Sequence, residues 1–363
     1  MKENKLIKGL DFTWGEIFKA REEGRLLSFD LELSKACNLR CIYCYAESGM
    51  KRKNELTKEE IFNVIDQAVE LGAEKVVIIG GGEPLLHPHY WDVLEKVRDV
   101  GLSSITFTNG TLITKDVARR LYEMKEDLAV KFNSFNEEIQ DYLAGRKGTG
   151  KRIKEAIKNL LEVGYSSSED SPQLALETIV CKQNYSEIEK FYKYCRENKI
   201  IPYVEILTVQ GRAKKYENEL IISPQEGYEL FKRLKEYDER EWGITWPLTP
   251  PIVGQNCKRM YYSAYITSTG DVQPCPGVDI PGGNIREKNL REIINESEIF
   301  KIVRHIDKYI KEPCKSCKYA KETRCYGCRG TALHHTGNFL NPDPTCWWLN
   351  KIPEVENDSS RNK

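Results

Sequence analysis

The chain has 363 residues, enough for one large domain and a smaller one, and its 40% hydrophobic content is ordinary for a globular protein. Its 55 basic and 55 acidic residues cancel, so net charge gives no reason to expect binding to nucleic acid or an anionic membrane. The apolar run 76–79 is too short to cross a bilayer, and the polar start 1–5 lacks the apolar core of a signal peptide. We therefore expect a cytoplasmic protein, in which the twelve cysteines are metal ligands rather than disulfides.

An alternation of strands and helices dominates the chain. Residues 1–26 are predicted to form an N-terminal extension with a helix over 14–23. Apolar stretches then predict six strands, over 27–33, 75–79, 103–108, 128–132, 174–181 and 203–209. Helices are predicted between and after them, over 57–72, 90–100, from 114, in two stretches ending at 164, over 186–198 and over 223–240. This pattern predicts an α/β fold with a parallel sheet, and it does not distinguish a partly closed barrel from an open doubly wound sheet.

Three cysteines follow the first predicted strand. Cys37, Cys41 and Cys44 are spaced four and then three residues apart. Three thiols at this spacing suit three corners of an iron–sulfur cubane and leave its fourth iron without a protein ligand. A structural zinc site normally has four ligands, and no fourth Cys or His follows closely. The spacing therefore favours a cluster with one open iron.

A glycine-rich turn, Gly80 to Pro84, follows the second predicted strand. Glycines let the backbone approach a ligand closely, and the Glu83 carboxylate is suited to accept hydrogen bonds from an ammonium group. Glycines are also common in ordinary tight turns. Because the loops at the C-terminal ends of parallel strands converge, we expect this turn to lie beside the cysteine loop.

Seven more cysteines lie beyond residue 250, where the alternation ends. They are Cys257, Cys275, Cys314, Cys317, Cys325, Cys328 and Cys346. The stretches 264–267 and 272–275 flank a turn and predict a β-hairpin that ends at Cys275, and a helix is predicted over 290–306. Seven thiols are too many for one four-ligand centre and one short of two such centres. The CxxC pairs would also suit a four-thiolate zinc site.

The CxxxCxxC motif and the Gly-Gly-Glu-Pro sequence at 81–84 together resemble those of the radical SAM enzymes. The resemblance implies a partial (β/α)6 barrel over 27–245 with a lateral opening. It also implies a [4Fe–4S] cluster on Cys37, Cys41 and Cys44, which binds S-adenosylmethionine (SAM) at its open iron. Positions that match SAM contacts in the family are Tyr43, Gly81, Gly82, Glu83, Pro84, Asn109 and Ser134. Asn109, Ser134 and Arg212 suit ordinary turn or surface roles equally well.

The order of the later cysteines resembles the SPASM extension of radical SAM enzymes. It implies a small Cys-rich domain over 250–350 with two auxiliary [4Fe–4S] clusters, three clusters in all, followed by a polar tail over 351–363. The resemblance assigns one auxiliary cluster to Cys257, Cys275 and Cys328, and the other to Cys314, Cys317, Cys325 and Cys346. The spacings around Cys325 and Cys328 depart from the usual ones, so an exchange of these two between clusters stays open. The fourth ligand of the three-cysteine cluster stays open between another side chain, water and substrate.

The resemblance implies an oxidoreductase that cleaves SAM to a 5′-deoxyadenosyl radical, abstracts hydrogen from its substrate and passes an electron to the auxiliary clusters. Modification of a peptide or protein is the favoured function, with a flavodoxin- or ferredoxin-type electron donor. Only 36 residues precede Cys37, too few for the N-terminal peptide-binding domain of many relatives. The alternatives are oxidation or decarboxylation of a small molecule of porphyrin or pterin type, maturation of a metalloenzyme, and a non-catalytic zinc or other metal-binding scaffold.

Several other polar residues have no firm role. Glu177 and Glu205 lie within predicted strands, where they either contact SAM or substrate or pair with neighbouring groups. Cys195 is predicted to be buried packing. Four histidines are predicted to lie in exposed loops: His87, His89, His334 and His335. No residue is singled out as the general base.

Overall fold

The structure of the protein is a computed structural model, which describes residues 7–255 and 257–349. Its main sheet begins with six parallel strands in chain order: β1 (Ser28–Leu31), β2 (Lys75–Ile78), β3 (Ser103–Thr108), β4 (Asp127–Lys131), β5 (Leu174–Val180) and β6 (Ile201–Ile206). Helices precede, separate and follow them: α1 (Trp14–Glu22), α2 (Lys58–Glu70), α3 (Tyr90–Asp99), α4 (Lys115–Glu123), α5 (Glu137–Ala144), α6 (Thr149–Glu162), α7 (Ile188–Glu197), α8 (Glu217–Leu220) and α9 (Pro224–Tyr237).

The order of the strands separates the two arrangements that the sequence left open. Strands β1 to β6 lie side by side in chain order and are all parallel. A doubly wound sheet would reverse this order at one point, where its ligand site would lie. Without a reversal, right-handed crossovers place the helices on one side of the sheet. The predicted partial (β/α)6 barrel is confirmed, and it is open because β1 and β6 do not pair.

The helices begin where the sequence contains capping signals. At α2, the Thr57 hydroxyl accepts from the Glu60 backbone N–H, and the Glu60 carboxylate accepts from the Thr57 N–H. The apolar residues Ile61, Val64 and Ile65 then share one face and are fully buried. The same reciprocal cap, with proline at the first helical position, opens α9.

The inward faces of the strands carry apolar residues first and charged residues nearer to the C-terminal ends. Ala129 of β4 and Ala175 of β5 are buried in one small apolar cluster inside the barrel. Two residues later, on the same face of each strand, stand Lys131 and Glu177. Charged side chains are therefore placed at the C-terminal ends of the strands.

The C-terminal part extends the same sheet. It contains α10 (Arg259–Tyr262), β7 (Tyr265–Ile266), β8 (Asp271–Gln273), β9 (Gly283–Asn284), α11 (Leu290–Glu296), α12 (Glu298–Arg304), α13 (Ile306–Tyr309), α14 (Lys318–Thr323) and α15 (Arg329–Thr336). Strand β7 pairs in parallel with β1 and antiparallel with β8, so the predicted hairpin is present. Strand β9 adds a third antiparallel strand.

Two predictions for this part were wrong. The single helix predicted over 290–306 is interrupted at Ser297, whose extended backbone ends α11 and begins α12. His334 and His335 belong to α15 rather than to an exposed loop, and only 7% of the His334 side chain is exposed. In the parts of the chain that are described, no helix has the length and apolar character needed to cross a membrane.

Candidate active site

The cysteine loop is held by a backbone hydrogen bond within the loop and by two hydrogen bonds from the Arg212 side chain. The Cys37 N–H donates to the Gly49 carbonyl at 3.0 Å, which closes the loop on itself. Arg212 donates from its guanidinium group to the carbonyl oxygens of Cys41 at 2.8 Å and Ser48 at 2.7 Å. Arg212 therefore fixes the loop, a role that the sequence did not distinguish from a ligand contact or a surface position.

The glycine turn packs directly on the cysteine loop. A Cβ atom at Gly82 would overlap the backbone carbonyl of Ala36, and one at Gly81 would overlap the carbonyl of Ser34. The Gly82 N–H donates to the Ser34 carbonyl at 2.6 Å, and the Glu83 N–H to that of Ala36 at 2.8 Å. Only glycine permits this approach, so the expected contact between the two motifs is present.

Glu83 is buried at the point where the turn meets β3. Its carboxylate accepts hydrogen bonds from the Thr108 hydroxyl at 2.6 Å, the Asn109 N–H at 2.7 Å and the Leu85 N–H at 3.2 Å. A carboxylate has about four acceptor sites, so one more donor can be accommodated on the cavity side. Burial raises the pKa of Glu83, and these hydrogen bonds oppose that effect.

A single cavity of about 310 Å³ lies at the C-terminal ends of the strands. Its lining includes the three thiols of the cysteine loop and three thiols of the C-terminal part: Cys37, Cys41, Cys44, Cys257, Cys275 and Cys328. The segment before Cys257 runs along the free edge of β6, where the Ile206 N–H donates to the Pro251 carbonyl at 2.8 Å. This segment leads from the barrel toward Cys257 in the lining of the cavity.

The seven later thiols fall into two groups by their mutual electrostatic influence. Burial raises the pKa of Cys275 to about 12, and the neighbouring thiols Cys257 and Cys328 contribute to the rise. Burial likewise raises the pKa of Cys325 and of Cys346 to about 12, with smaller contributions from Cys314 to the first and from Cys325 to the second. Cys317 contributes in the same way to the raised pKa of Cys314. These neighbour relations are those of the two sets that the resemblance implies.

The remaining predicted SAM-contacting residues have different surroundings. Tyr43 lines the cavity, and its hydroxyl accepts from the Asn133 side chain at 2.8 Å. Asn109 also lines the cavity. The Ser134 hydroxyl is buried and donates to Glu187 at 2.6 Å, so it is already used within the protein. Pro84 begins a short 3-10 turn, Pro84–Leu86.

A group of charged side chains in the cavity wall went partly unrecognised in the sequence. The Lys131 ammonium donates to Glu177 at 2.8 Å, and Glu205 on β6 is hydrogen-bonded to Glu177. Burial and the neighbouring Glu177 carboxyl raise the pKa of Glu205, while Lys131 opposes the rise. The two glutamates were identified from the sequence as candidates to contact SAM or substrate or to pair with neighbouring groups, but Lys131 was not. Its position two residues beyond a buried alanine on the same strand face was the available signal.

The residues present fit a thiolate-bound cluster with SAM beside it. Three thiols and a buried carboxylate with spare acceptor capacity face one cavity. The Tyr45 hydroxyl, also in this lining, is buried and has no hydrogen-bond partner within residues 7–255 and 257–349. Among these described residues, no group of three His, Cys, Asp or Glu side chains is arranged to hold a single metal ion.

The open barrel and its thiol-lined cavity define an enzyme that binds a cofactor at the C-terminal ends of its strands. The family model described as Radical SAM superfamily matches residues 31–195, and the iron–sulfur cluster-binding SPASM model matches 257–318. The chain therefore belongs to the radical SAM superfamily and carries a SPASM domain. It is a radical SAM oxidoreductase that uses S-adenosylmethionine and [4Fe–4S] clusters.

Named relatives share most of the chain. The AdoMet-dependent heme synthase of Methanosarcina barkeri is 28% identical over 343 residues, which cover 87% of this chain and 94% of that protein. The PqqA peptide cyclase of Gluconobacter oxydans is 27% identical over 333 residues, covering 88% and 90%.

Solved structures show the same fold. Streptococcus suis SuiB bound to its precursor peptide SuiA superposes with a TM-score of 0.68 at 18% identity, covering 96% of this chain and 84% of that one. The enzyme anSMEcpe with bound AdoMet gives a TM-score of 0.66 at 18% identity, covering 93% and 100%.

Proposed function

We propose that this enzyme carries out a net two-electron oxidation of a substrate held between its two groups of cavity thiols. The observation that carries the proposal is that Cys37, Cys41 and Cys44 share one cavity with Cys257, Cys275 and Cys328. A substrate in this cavity contacts both groups, which allows hydrogen abstraction at one side and electron removal at the other. Bound SAM and its cluster supply the hydrogen-abstracting radical, and an auxiliary cluster supplies the electron acceptor.

The residues of this chain have separate roles in the proposal. Cys37, Cys41 and Cys44 hold the SAM-binding cluster, and Gly81 to Pro84, Tyr43 and Asn109 surround SAM. The spare acceptor site of Glu83 suits the SAM ammonium group. We assign Ser134 an indirect role, because its hydroxyl is engaged by Glu187.

The later thiols are assigned to two auxiliary clusters. Cys257, Cys275 and Cys328 hold the cluster nearest the substrate, since all three line the cavity. The other auxiliary cluster is assigned to Cys314, Cys317, Cys325 and Cys346. The electrostatic neighbours of Cys325 and Cys328 support their placement in different clusters. A reducing cytoplasm suits so many free thiols.

A peptide or protein is the substrate class that we favour. Support comes from a relative named as a peptide cyclase and from a structural neighbour described with a bound precursor peptide. Relatives named mycofactocin maturase and PqqA peptide cyclase both align over nearly nine-tenths of this chain.

A tetrapyrrole is the second candidate, and a different observation favours it. Three relatives named AdoMet-dependent heme synthase, 24% to 28% identical, align with this chain over 85% to 94% of their own lengths. The mass change of the product separates the candidates. A two-electron oxidation of a peptide removes two hydrogens from it, whereas decarboxylation of a porphyrin releases carbon dioxide.

The central experiment is anaerobic reconstitution with iron and sulfide, followed by SAM and dithionite. We expect about twelve irons per chain, as three cubanes require, and release of 5′-deoxyadenosine. Replacement of Cys37, Cys41 and Cys44 by alanine should remove about four irons and abolish SAM cleavage. Cys195→Ala is the matched control, because this thiol is buried in α7 outside the cavity. SAM cleavage by the triple variant, or bound zinc without cleavage in the wild type, would contradict the proposal.

A further inference from the structure

The charged side chains that line the cavity include more carboxyl groups than cations. The acidic and basic residues of the lining are Glu83, Glu177, Glu205, Lys131 and Arg259. Arg259 is paired with the buried Asp30 at 3.1 Å, so its charge is already compensated. Glu83 accepts three hydrogen bonds and is assigned to the SAM ammonium group. Within the described lining, Lys131 is therefore left to balance two further carboxyl groups.

Glu205 is the carboxyl group of this wall that lacks a cation of its own. The Lys131 ammonium donates to Glu177 at 2.8 Å, and Glu205 is hydrogen-bonded to Glu177. Burial and the Glu177 carboxyl raise the pKa of Glu205 to about 8. Lys131 and Arg259 oppose this rise, and Tyr203 on the same strand is a further titratable neighbour. Near neutral pH the two carboxyl groups therefore share one proton.

The surroundings of the carboxyl pair suit an aliphatic chain that ends in a cation. Ile179 is the register partner of Glu205 on β5, and it lines the cavity together with Phe107 of β3. A lysine-like chain packs its methylene groups on such side chains while its charged end reaches a carboxylate. The Tyr45 hydroxyl oxygen lies in the same lining, is buried and has no hydrogen-bond partner in the described part of the chain. It is an electrostatic neighbour of Glu177 and can accept a hydrogen bond from an ammonium group.

A cation and an anion would meet this wall on unequal terms. A substrate ammonium or guanidinium group supplies the missing partner of Glu205, whose proton then passes to the solvent. A substrate carboxylate has to draw Lys131 away from Glu177. That exchange would leave two carboxyl groups without a cation in a poorly hydrated site. The wall therefore favours a cationic group over an anionic one.

We propose that Glu177 and Glu205 select a substrate that carries an ammonium or guanidinium group, as the lysine and arginine side chains of a peptide do. Both are specificity-determining residues, and no covalent bond changes in this binding step apart from the release of the shared proton. The inference rests on the proposed function and adds to it the class of side chain that is recognised. A tetrapyrrole with several carboxylates is the substrate that this wall disfavours.

The test is isothermal titration calorimetry of the reconstituted enzyme with SAM, near neutral pH. Nα-acetyl-lysine methylamide should bind at least ~10-fold more tightly than Nα-acetyl-norleucine methylamide, which has a similar stem and no charge. Glu205→Gln should lose this preference. Titrations in two buffers of different ionisation enthalpy should show release of about one proton with the lysine probe in the wild type and none in Glu205→Gln.

Glu126→Gln is the matched control. Glu126 is also a buried glutamate whose pKa is raised by burial, but it precedes β4, accepts from the Thr106 hydroxyl at 2.7 Å and does not line the cavity. This variant should keep the wild-type preference and proton release. Lys131→Gln covers a folding defect of Glu205→Gln. It frees Glu177 for the substrate and should strengthen the lysine preference, which a loss of structure cannot do.

Three results would overturn the inference. They are equal binding of the lysine and norleucine probes to the wild type, an unchanged preference in Glu205→Gln, and tighter binding of coproporphyrin than of the lysine probe. The last would favour the tetrapyrrole as substrate, since this porphyrin carries carboxylates and no cation. If the lysine preference is present but SAM is not cleaved with dithionite, the proposed function fails and the specificity assignment stands. If SAM is cleaved but the preference is absent, the inference alone is wrong.

Discussion

At Gly82, the absence of a side chain decides whether the glycine turn and the cysteine loop can touch. The space that a Cβ would occupy is taken by the backbone of Ala36, one residue before Cys37, the first thiol of the cysteine loop. Backbone atoms cannot move aside as a flexible side chain does, so any larger residue separates the loops. The Glu83 carboxylate on one loop and the thiols on the other would then lose their common cavity.

We therefore expect Gly82→Ala to weaken both cluster retention and SAM cleavage. Overpacking at a rigid backbone contact costs about 1–3 kcal/mol, which predicts a loss of about 5-fold or more in SAM cleavage. Iron content and 5′-deoxyadenosine release measure the two effects. Gly15→Ala is the control, because a Cβ there would meet only the Thr13 hydroxyl at 3.9 Å. Full activity in Gly82→Ala would show that the loops tolerate separation.

Three neighbouring strands set the chemistry of the cavity wall at the scale of elements. The register places Lys131 of β4 directly beside Glu177 of β5. On β6, Glu205 lies two residues beyond Tyr203, the partner of Glu177, and therefore on the same face of the sheet. One lysine balances one carboxylate, so ionising the second would leave an unpaired negative charge in a poorly hydrated site. Arg259 also faces this group, but it is paired with Asp30 at 3.1 Å.

This arrangement predicts a pH-dependent stability. The pKa of Glu205 is raised above its unfolded value, so its stabilising contribution is present at low pH and is lost as pH rises through the folded-state pKa. Relative to Glu205→Gln, the free energy of unfolding of the wild type should fall by about 1 kcal/mol per pH unit between the ordinary carboxyl pKa and the raised folded-state pKa. Urea unfolding between about pH 5 and about pH 8 measures the difference, because the folded-state pKa is raised to about 8.

The exposed residue Glu155 of α6 provides the control for this comparison. Glu155→Gln should follow the pH dependence of the wild type. A pH dependence in Glu205→Gln that parallels the wild type would mean that Glu205 is ionised throughout.

The whole molecule depends on the junction between β1 and β7, where the barrel continues into the C-terminal part. Arg259, two residues after Cys257, reaches across this junction to Asp30 on β1 at 3.1 Å. Asp30 is 1% exposed, and burial raises its pKa while Arg259 lowers it. This ion pair holds the segment that delivers Cys257 to the cavity.

Removing one partner should therefore be far more costly than removing both. Arg259→Met leaves the buried Asp30 carboxyl unpaired and should lower the free energy of unfolding by about 3–5 kcal/mol. The double variant with Asp30→Asn should recover most of that loss, because no charge is left behind. Urea unfolding of the two single variants and the double variant gives the coupling energy. If Arg259→Met is as stable as the wild type, the ion pair with Asp30 does not stabilise the junction between β1 and β7.

The amino-acid sequence alone was enough to predict the alternation of strands and helices and the contact between the cysteine loop and the glycine turn. These features depend on neighbours in the chain: alternation along β3, the capping box at Thr57 and the spacing of Cys37, Cys41 and Cys44. The strand-level prediction was less accurate at β6, which begins two residues and ends three residues earlier than expected. The sequence also did not locate the helix interruption at Ser297, because only its backbone conformation breaks the helix.

Only the tertiary structure decided which distant groups meet. It placed Cys257, Cys275 and Cys328 across one cavity from the first thiols, and it paired Lys131 with Glu177 and Arg259 with Asp30. Strand order, the β1–β7 junction and the approach of the turn at Gly145 to the cysteine loop bring these groups together. Contacts of this kind join residues up to hundreds of positions apart, and no local preference of the chain specifies them. Local patterns therefore determined the motifs, and packing determined the site.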